Sequence, residues 1–275
     1  MSGEIDPPFG THALPPALER LRRLGAGSGN GALARRMTSL IRRVCMIGRP
    51  DPFDVAPFPG QRARLHPRDN LSEKRVFTAP AAWEAAERTA LTDAMDRCDG
   101  PFRFVDAGAN AGLYSLALRS HGPVRGLAIE PEPTMLARLR ANIAASGAGD
   151  EVSVAPVALG AAEGTARLET GSGNRGEVRL SETGAITVPV RPLLDVVEEA
   201  GLDRIDALKM DIEGMEEAVL GAFLRDAPRA LRPALVVIEA PRGARTPALS
   251  RLREAGYTVT ARTRMNAILA GPAPT

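Results

Sequence analysis

The chain has 275 residues, 44% of them apolar and 25% charged, which suits an ordinary globular protein with one large domain or one domain and an appendage. A formal net charge of +2 gives no argument for a nucleic-acid partner, and no stretch reaches the ~20 uninterrupted apolar residues of a membrane helix. Cys45 and Cys98 are too few for a disulfide framework and are not spaced as a metal site.

Residues 1–10 carry two acids and two prolines but no apolar run, so they do not read as a signal peptide; a cytoplasmic protein with two reduced thiols is expected. Residues 1–78 form a basic, proline-rich, partly helical N-terminal extension, and 79–275 form the main domain. Within the extension a Gly/Ser/Asn stretch spans 25–31, and beyond it lie Arg35, Arg36, Arg42, Arg43 and Arg49. Leu33, Met37, Leu40, Ile41 and Val44 fall near helical spacing and predict a basic amphipathic helix. Its apolar stripe is expected to pack on the main domain with the arginines in water. Peripheral contact with a membrane surface, or with an anionic substrate, is the alternative.

From residue 79 the pattern becomes regular. A helix is predicted over 81–97 with Trp83, Ala86, Ala90, Leu91 and Ala94 inward, then a strand over 102–106 and a helix over 113–119. A second strand covers 124–130, a helix 133–146 opens on Pro133 and stops at Gly147, and a third strand covers 151–159. Alternation at 165–170 and 185–190 predicts a β-hairpin insertion near 164–191. Helices at 193–200, 215–224 and 247–255 alternate with strands at 207–212 and 235–239, and strands at 257–262 and 267–270 close the chain. The fold class is therefore α/β, with a mostly parallel twisted sheet covered on both faces and a C-terminal antiparallel hairpin.

Two segments carry chemistry. In the first, the strand ending at Asp106 runs into Gly108, Asn110 and Gly112 before a helix, so that a ligand can approach the turn and its amides closely. Asparagine tolerates left-handed backbone better than most residues. Glu130 ends the second strand 24 residues after Asp106, where a carboxylate can accept both hydroxyls of a ribose. NAD and S-adenosylmethionine both fit, although the G-x-G-x-x-G pattern of dinucleotide sites is missing. In the second segment Lys209, Asp211 and Glu213 crowd the carboxyl end of a strand, the edge at which open α/β sheets bind ligands. Such charges must pair or serve a ligand. A Lys–Asp pair with Glu213 capping the next helix is the purely structural alternative. Only two of the 35 basic residues are lysines, Lys74 and Lys209, so a compact ammonium is favoured at that position.

VDAGANAGLYS at 105–115, IEPEP at 129–133, ALGAAEG at 158–164 and LKMDIEGME at 208–216 together resemble the FkbM family, over roughly 83–239. That resemblance implies a class I methyltransferase of Rossmann-like fold with S-adenosyl-L-methionine as cofactor. It implies that Asp106, Gly108, Asn110 and Gly112 form the cofactor turn, Glu130 holds the ribose and Ala158 borders the adenine. Asp211 would meet the methyl acceptor, with Glu239 the second candidate base and Lys209 beside Asp211. The family is similar to O-methyltransferases acting on hydroxyls of sugars, glycolipids and natural products, so a small-molecule or glycan acceptor is expected. Where the family often has a glutamate followed closely by histidine and proline, this chain has Glu239-Ala240-Pro241-Arg242. Its histidines, His12, His66 and His121, lie outside the matched motifs. A divalent metal on Asp211, Glu213 or Glu239 has no supporting spacing, and none is expected. A non-catalytic cofactor-binding module and an NAD-type oxidoreductase are the competing readings.

Overall fold

The computed structural model describes residues 7–27, 31–170, 178–180, 184–243 and 246–272. The N-terminal segment holds helices α1 (Pro16–Ala26), α2 (Ala32–Met46) and α3 (Leu71–Thr78), with strands β1 (Phe53–Phe58) and β2 (Gln61–Leu65) paired as a hairpin between α2 and α3. Asn70 caps α3, its side-chain oxygen accepting the Glu73 amide at 3.0 Å. The segment shares its core with the rest of the chain: Phe53, Leu65 and Phe77 belong to one buried cluster with Phe102, Phe104, Leu116 and Leu118. The buried guanidinium of Arg22 is matched by Glu19 and by the Phe77 carbonyl at 2.9 Å.

The expectation that the apolar stripe of α2 packs inward is corrected. Its buried residues are Thr38, Ile41 and Cys45, whereas Leu33, Met37 and Leu40 are 75%, 51% and 60% exposed. At ~100° per residue the two groups lie on arcs about a quarter-turn apart. Only the arc around Ile41 meets α1 and α3.

The main body comprises α4 (Ala85–Met95), β3 (Phe102–Ala107), α5 (Leu113–Arg119), β4 (Val124–Ile129), α6 (Pro133–Ala145) and β5 (Val152–Ala155) in its first half. Strands β6 (Ala158–Gly160), β7 (Gly164–Thr170), β8 (Val178–Leu180) and β9 (Ile186–Pro192) form a separate small sheet. Then come α7 (Leu193–Glu199), β10 (Ala207–Met210), α8 (Glu216–Asp226), β11 (Leu235–Glu239), α9 (Pro247–Glu254), β12 (Thr258–Arg262) and β13 (Asn266–Ala270). The central sheet has the order β12-β13-β11-β10-β3-β4-β5. Its strands are parallel except around β13, which is antiparallel to both neighbours, as the closing hairpin requires.

Side chains alternate across this sheet, so successive residues feed different cores. Phe104, Val237 and Ile268 join the cluster shared with the N-terminal segment, while Val105, Val236 and Leu269 join one with Val196, Val219, Phe223 and Leu252 from α7, α8 and α9. Both faces are covered, which is why the strands read as near-continuous apolar runs.

Three elements differ from expectation. The predicted strand 151–159 is two strands in different sheets, broken at Pro156, which has no N–H for a ladder. The helix predicted from 81 starts at Ala85, and its phase buries Glu87 rather than Ala86. The strand predicted to 212 stops at Met210, because Glu213 (φ 53°) and Gly214 (φ 100°) turn the chain out of the sheet.

Candidate active site

The ends of β3, β4, β10 and β11 open onto one cleft of about 770 Å³, within the range of small-molecule sites. Its walls include Asn70 and Leu71 at the start of α3, Trp83 and Glu84 before α4, Ala158 of β6 and Asn266 of β13.

The turn after β3 has left-handed backbone at Gly108 (φ 77°), Asn110 (φ 52°) and Gly112 (φ 78°). Glycine at 108 is demanded by its neighbour: a Cβ there would stand 1.9 Å from the Asp211 carbonyl oxygen. At 112 a Cβ would lie 2.6 Å from Leu139 Cδ1. Asn110 is held from three sides. Its amide donates to Glu130 Oε2 at 2.8 Å, its Oδ1 accepts the Ala111 amide at 2.8 Å, and the same oxygen accepts Asn70 Nδ2 at 2.8 Å. The other Glu130 oxygen accepts the Glu132 amide at 2.9 Å. Burial pushes the Glu130 carboxyl up to about 7 against the pull of those two amides.

Beneath the turn lies Asp106, 1% exposed and not part of the cleft lining. Neither of its oxygens has a hydrogen-bond partner among the described residues, and Lys209 Nζ stands 3.4 Å from Oδ1. Burial raises Asp106 to about 6, with Lys209 opposing. Lys209 donates to the Gly108 carbonyl at 2.6 Å, lies 3.8 Å from Asp211 Oδ2 and sits 5.7 Å from the centroid of the Tyr114 ring. Burial works against its ammonium, but Asp106, Asp211 and Glu84 outweigh that and lift Lys209 above its ordinary value. The expected Lys209–Asp211 pairing is therefore present, with Asp106 as a third member.

Asp211, at the mouth of the cleft, is half exposed. Glu239, the last residue of β11, is half-buried, and burial together with the charges of Asp211, Glu213 and Glu216 pushes it up to about 7. Glu213 is not the helix cap that a purely structural reading gives it. Helix α8 opens at Met215 without a side-chain cap, and Glu216 instead ties down the preceding loop, its oxygens accepting the Ile212 and Gly214 amides at 3.0 Å each. Among the described residues no group of three or more His, Cys, Asp or Glu is arranged to hold a metal.

Several lining residues escape sequence reasoning. Glu84 accepts a short hydrogen bond from the Tyr114 hydroxyl, has left-handed backbone (φ 43°), and is raised by burial. Tyr114 packs on Trp83 with ring centroids 4.9 Å apart. Glu87 accepts Thr263 Oγ1 at 2.7 Å and Asn266 Nδ2 at 2.9 Å, tying α4 to the closing hairpin. Tyr114 could have been found from its place beside Gly112, but nothing local marks Glu84, Glu87 or Asn266.

The family model for the methyltransferase FkbM domain matches residues 106–259. Methyltransferase sdnD of Sordaria araneosa is 31% identical over 194 residues, covering 58% of this chain and 74% of that protein. Similar solved structures include a precorrin-6y C5,15-methyltransferase from Geobacter metallireducens GS-15, with 16% identity, TM-score 0.45, and 70% and 89% of the two chains covered. A SAM-dependent O-methyltransferase from Thermotoga maritima has 13% identity and TM-score 0.42, with 69% and 66% covered. The sheet order and covered faces are those of the class I methyltransferase fold with an N-terminal extension. Matched by the family model over more than half its length, and by a relative of which it covers three-quarters, the chain belongs to the methyltransferase FkbM domain family.

Proposed function

We propose that this methyltransferase uses S-adenosyl-L-methionine to methylate a hydroxyl oxygen of a sugar, glycolipid or natural-product small molecule. One observation carries the reading. Glu130 and the two carboxylates Asp211 and Glu239 line the same cleft, yet stand at the ends of strands separated by β3. Two strand spacings, about 10 Å, divide β4 from β10, which is the reach of a nucleoside.

The residues present suit the cofactor. Glu130 keeps lone pairs for two ribose hydroxyls, the Gly108–Asn110 backbone offers a close approach, and Ala158 with Ile129 and Leu168 supplies an apolar wall for an adenine. Asp106 and Lys209 brace the turn from below. The bound cofactor supplies an electrophilic methyl group on a sulfonium. The chain's part is to align the acceptor oxygen, exclude water and take the hydroxyl proton. Asp211 is the first candidate for that proton. Glu239, raised to about 7, is well matched to proton transfer near neutral pH and is the second. Arg35, Asn70, Leu71 and Arg75 from the N-terminal segment and Leu168 from the 164–191 insertion support a pocket shaped by both additions to the common fold. Two free cysteines favour a cytoplasmic setting.

Calorimetry with S-adenosylmethionine, S-adenosylhomocysteine and NAD, and then transfer of labelled methyl to candidate acceptors, tests the proposal. Heat and competition from the two sulfur cofactors and none from NAD are expected. Binding of NAD alone would overturn it.

A further inference from the structure

All seven large apolar side chains exposed among the described residues fall in two places: Leu24, Leu33, Met37, Leu40 and Ile47 on or beside α1 and α2, and Leu71 and Met265 on the lining of the cleft. Along α2, exposed Leu33, Met37 and Leu40 recur every third or fourth residue and, with half-buried Val44 and with Ile47 just past the helix end, make one stripe about 20 Å long. Burying Thr38, Ile41 and Cys45 leaves that stripe outward, so it does not complete the core.

The same helix carries Arg35, Arg36, Arg42 and Arg43 and no acid. Among the described residues Arg35, Arg36 and Arg43 make no ion pair, although many arginines elsewhere do. On the helical wheel Arg36 and Arg43 flank the apolar arc on one side. A second copy of the chain is a poor occupant, because a two-fold contact would set these arginines against their own equivalents. No described helix is long and apolar enough to cross a membrane, and α2 with its four arginines would lie along a surface rather than span it.

We infer that α2 is an interfacial helix that docks on an anionic lipid surface. The stripe enters the acyl boundary, and Arg36 and Arg43 meet lipid phosphates. Arg35, on the same helix, lines the cleft, and so do the exposed Leu71 and Met265. Arg35 lies about half a turn around the helix from Leu33, Met37 and Leu40, so it reaches the cleft from the face of α2 opposite the stripe. This goes beyond the methyl-transfer reading and does not depend on it.

Sedimentation of the full chain with vesicles tests the inference without any methyl transfer. Mixed phosphatidylglycerol and phosphatidylcholine vesicles should pellet the protein at low salt, and phosphatidylcholine alone should not. L33Q/M37Q/L40Q alters only exposed positions, so it should keep the wild-type Tm while losing ~10-fold or more in vesicle partitioning. R36Q/R43Q should lose about fivefold per arginine and most of its salt dependence. Absence of vesicle binding, or undiminished binding by L33Q/M37Q/L40Q, would overturn the inference. So would a wild-type dimer in sedimentation equilibrium that this variant abolishes, since a second copy would then be the occupant.

Discussion

Asp211 and Glu239 face the same cleft with different environments, and substitution separates their roles. Asp211→Asn removes a charge with little change of volume, so cofactor affinity should stay within a few-fold. Turnover should fall by ~10²-fold or more if Asp211 takes the proton. Normal turnover of this variant on an identified acceptor would pass the role to Glu239, whose Gln variant then becomes the deficient one. Glu130→Ala should weaken cofactor binding by about 1.5–3 kcal/mol, the scale of hydrogen bonds to a charged group, with calorimetry as the check. An unchanged affinity would remove Glu130 from the ribose. Gly108→Ala should lose cofactor binding for another reason, because its Cβ would collide with the Asp211 carbonyl and force β10 and the turn apart.

At the level of elements, α3 belongs to the site although it precedes the matched motifs. Asn70 both caps α3 and donates to Asn110 in the turn after β3. Asn70→Ala should cost about 1 kcal/mol of stability from the lost cap, read by denaturant melts, and should also weaken cofactor binding. A variant that loses stability alone would mean the Asn110 contact is incidental. This link was not legible in the sequence, since two asparagines 40 residues apart carry no local signal. Periodicity and turn chemistry made other features legible. Pro133 and Gly147 bounded α6 to within a residue or two, and alternation found β7 and β9. Periodicity reports that a helix has an apolar face but not whether anything covers it, which is why the stripe of α2 was assigned to the core. It also cannot see a strand change sheets, as the chain does between β5 and β6 at Pro156.

Over the whole molecule, the carboxyls buried around the cleft impose a pH dependence on stability. Asp106 is raised to about 6, and Glu130 and Glu239 to about 7, from ordinary values near 4. The folded protein thus holds protons that the unfolded chain has already released, so stability falls as pH rises from ~4 to ~7 and levels off above. Lys209 titrates far above this window. The unliganded protein should accordingly show a lower Tm at pH 8 than at pH 5.5, with the difference reduced in Glu239→Gln. A Tm that rises over that interval would contradict this charge arrangement. The motifs made the Gly108–Gly112 turn and Glu130 legible because these residues sit at strand ends with local turn chemistry. The rest of the cleft lining draws on residues from Arg35 to Asn266, and only the folded chain brings them together.

The central sheet is also closed out of order, because β13 lies between β11 and β12 although both are made before it. During synthesis the edge of β11 stays open until residues 266–270 leave the ribosome, and β12 has no neighbour to join. Val236, Val237 and Ile238 then present an unpaired apolar edge, the kind of template on which chains aggregate. Strand β13 therefore acts as a keystone: a chain stopped after Arg262 should gather in inclusion bodies or on chaperones to a greater extent than one that includes β13. Thr263 and Asn266, the partners of Glu87, arrive with that strand, so this wall of the cleft forms only after β11 and β12 have been made.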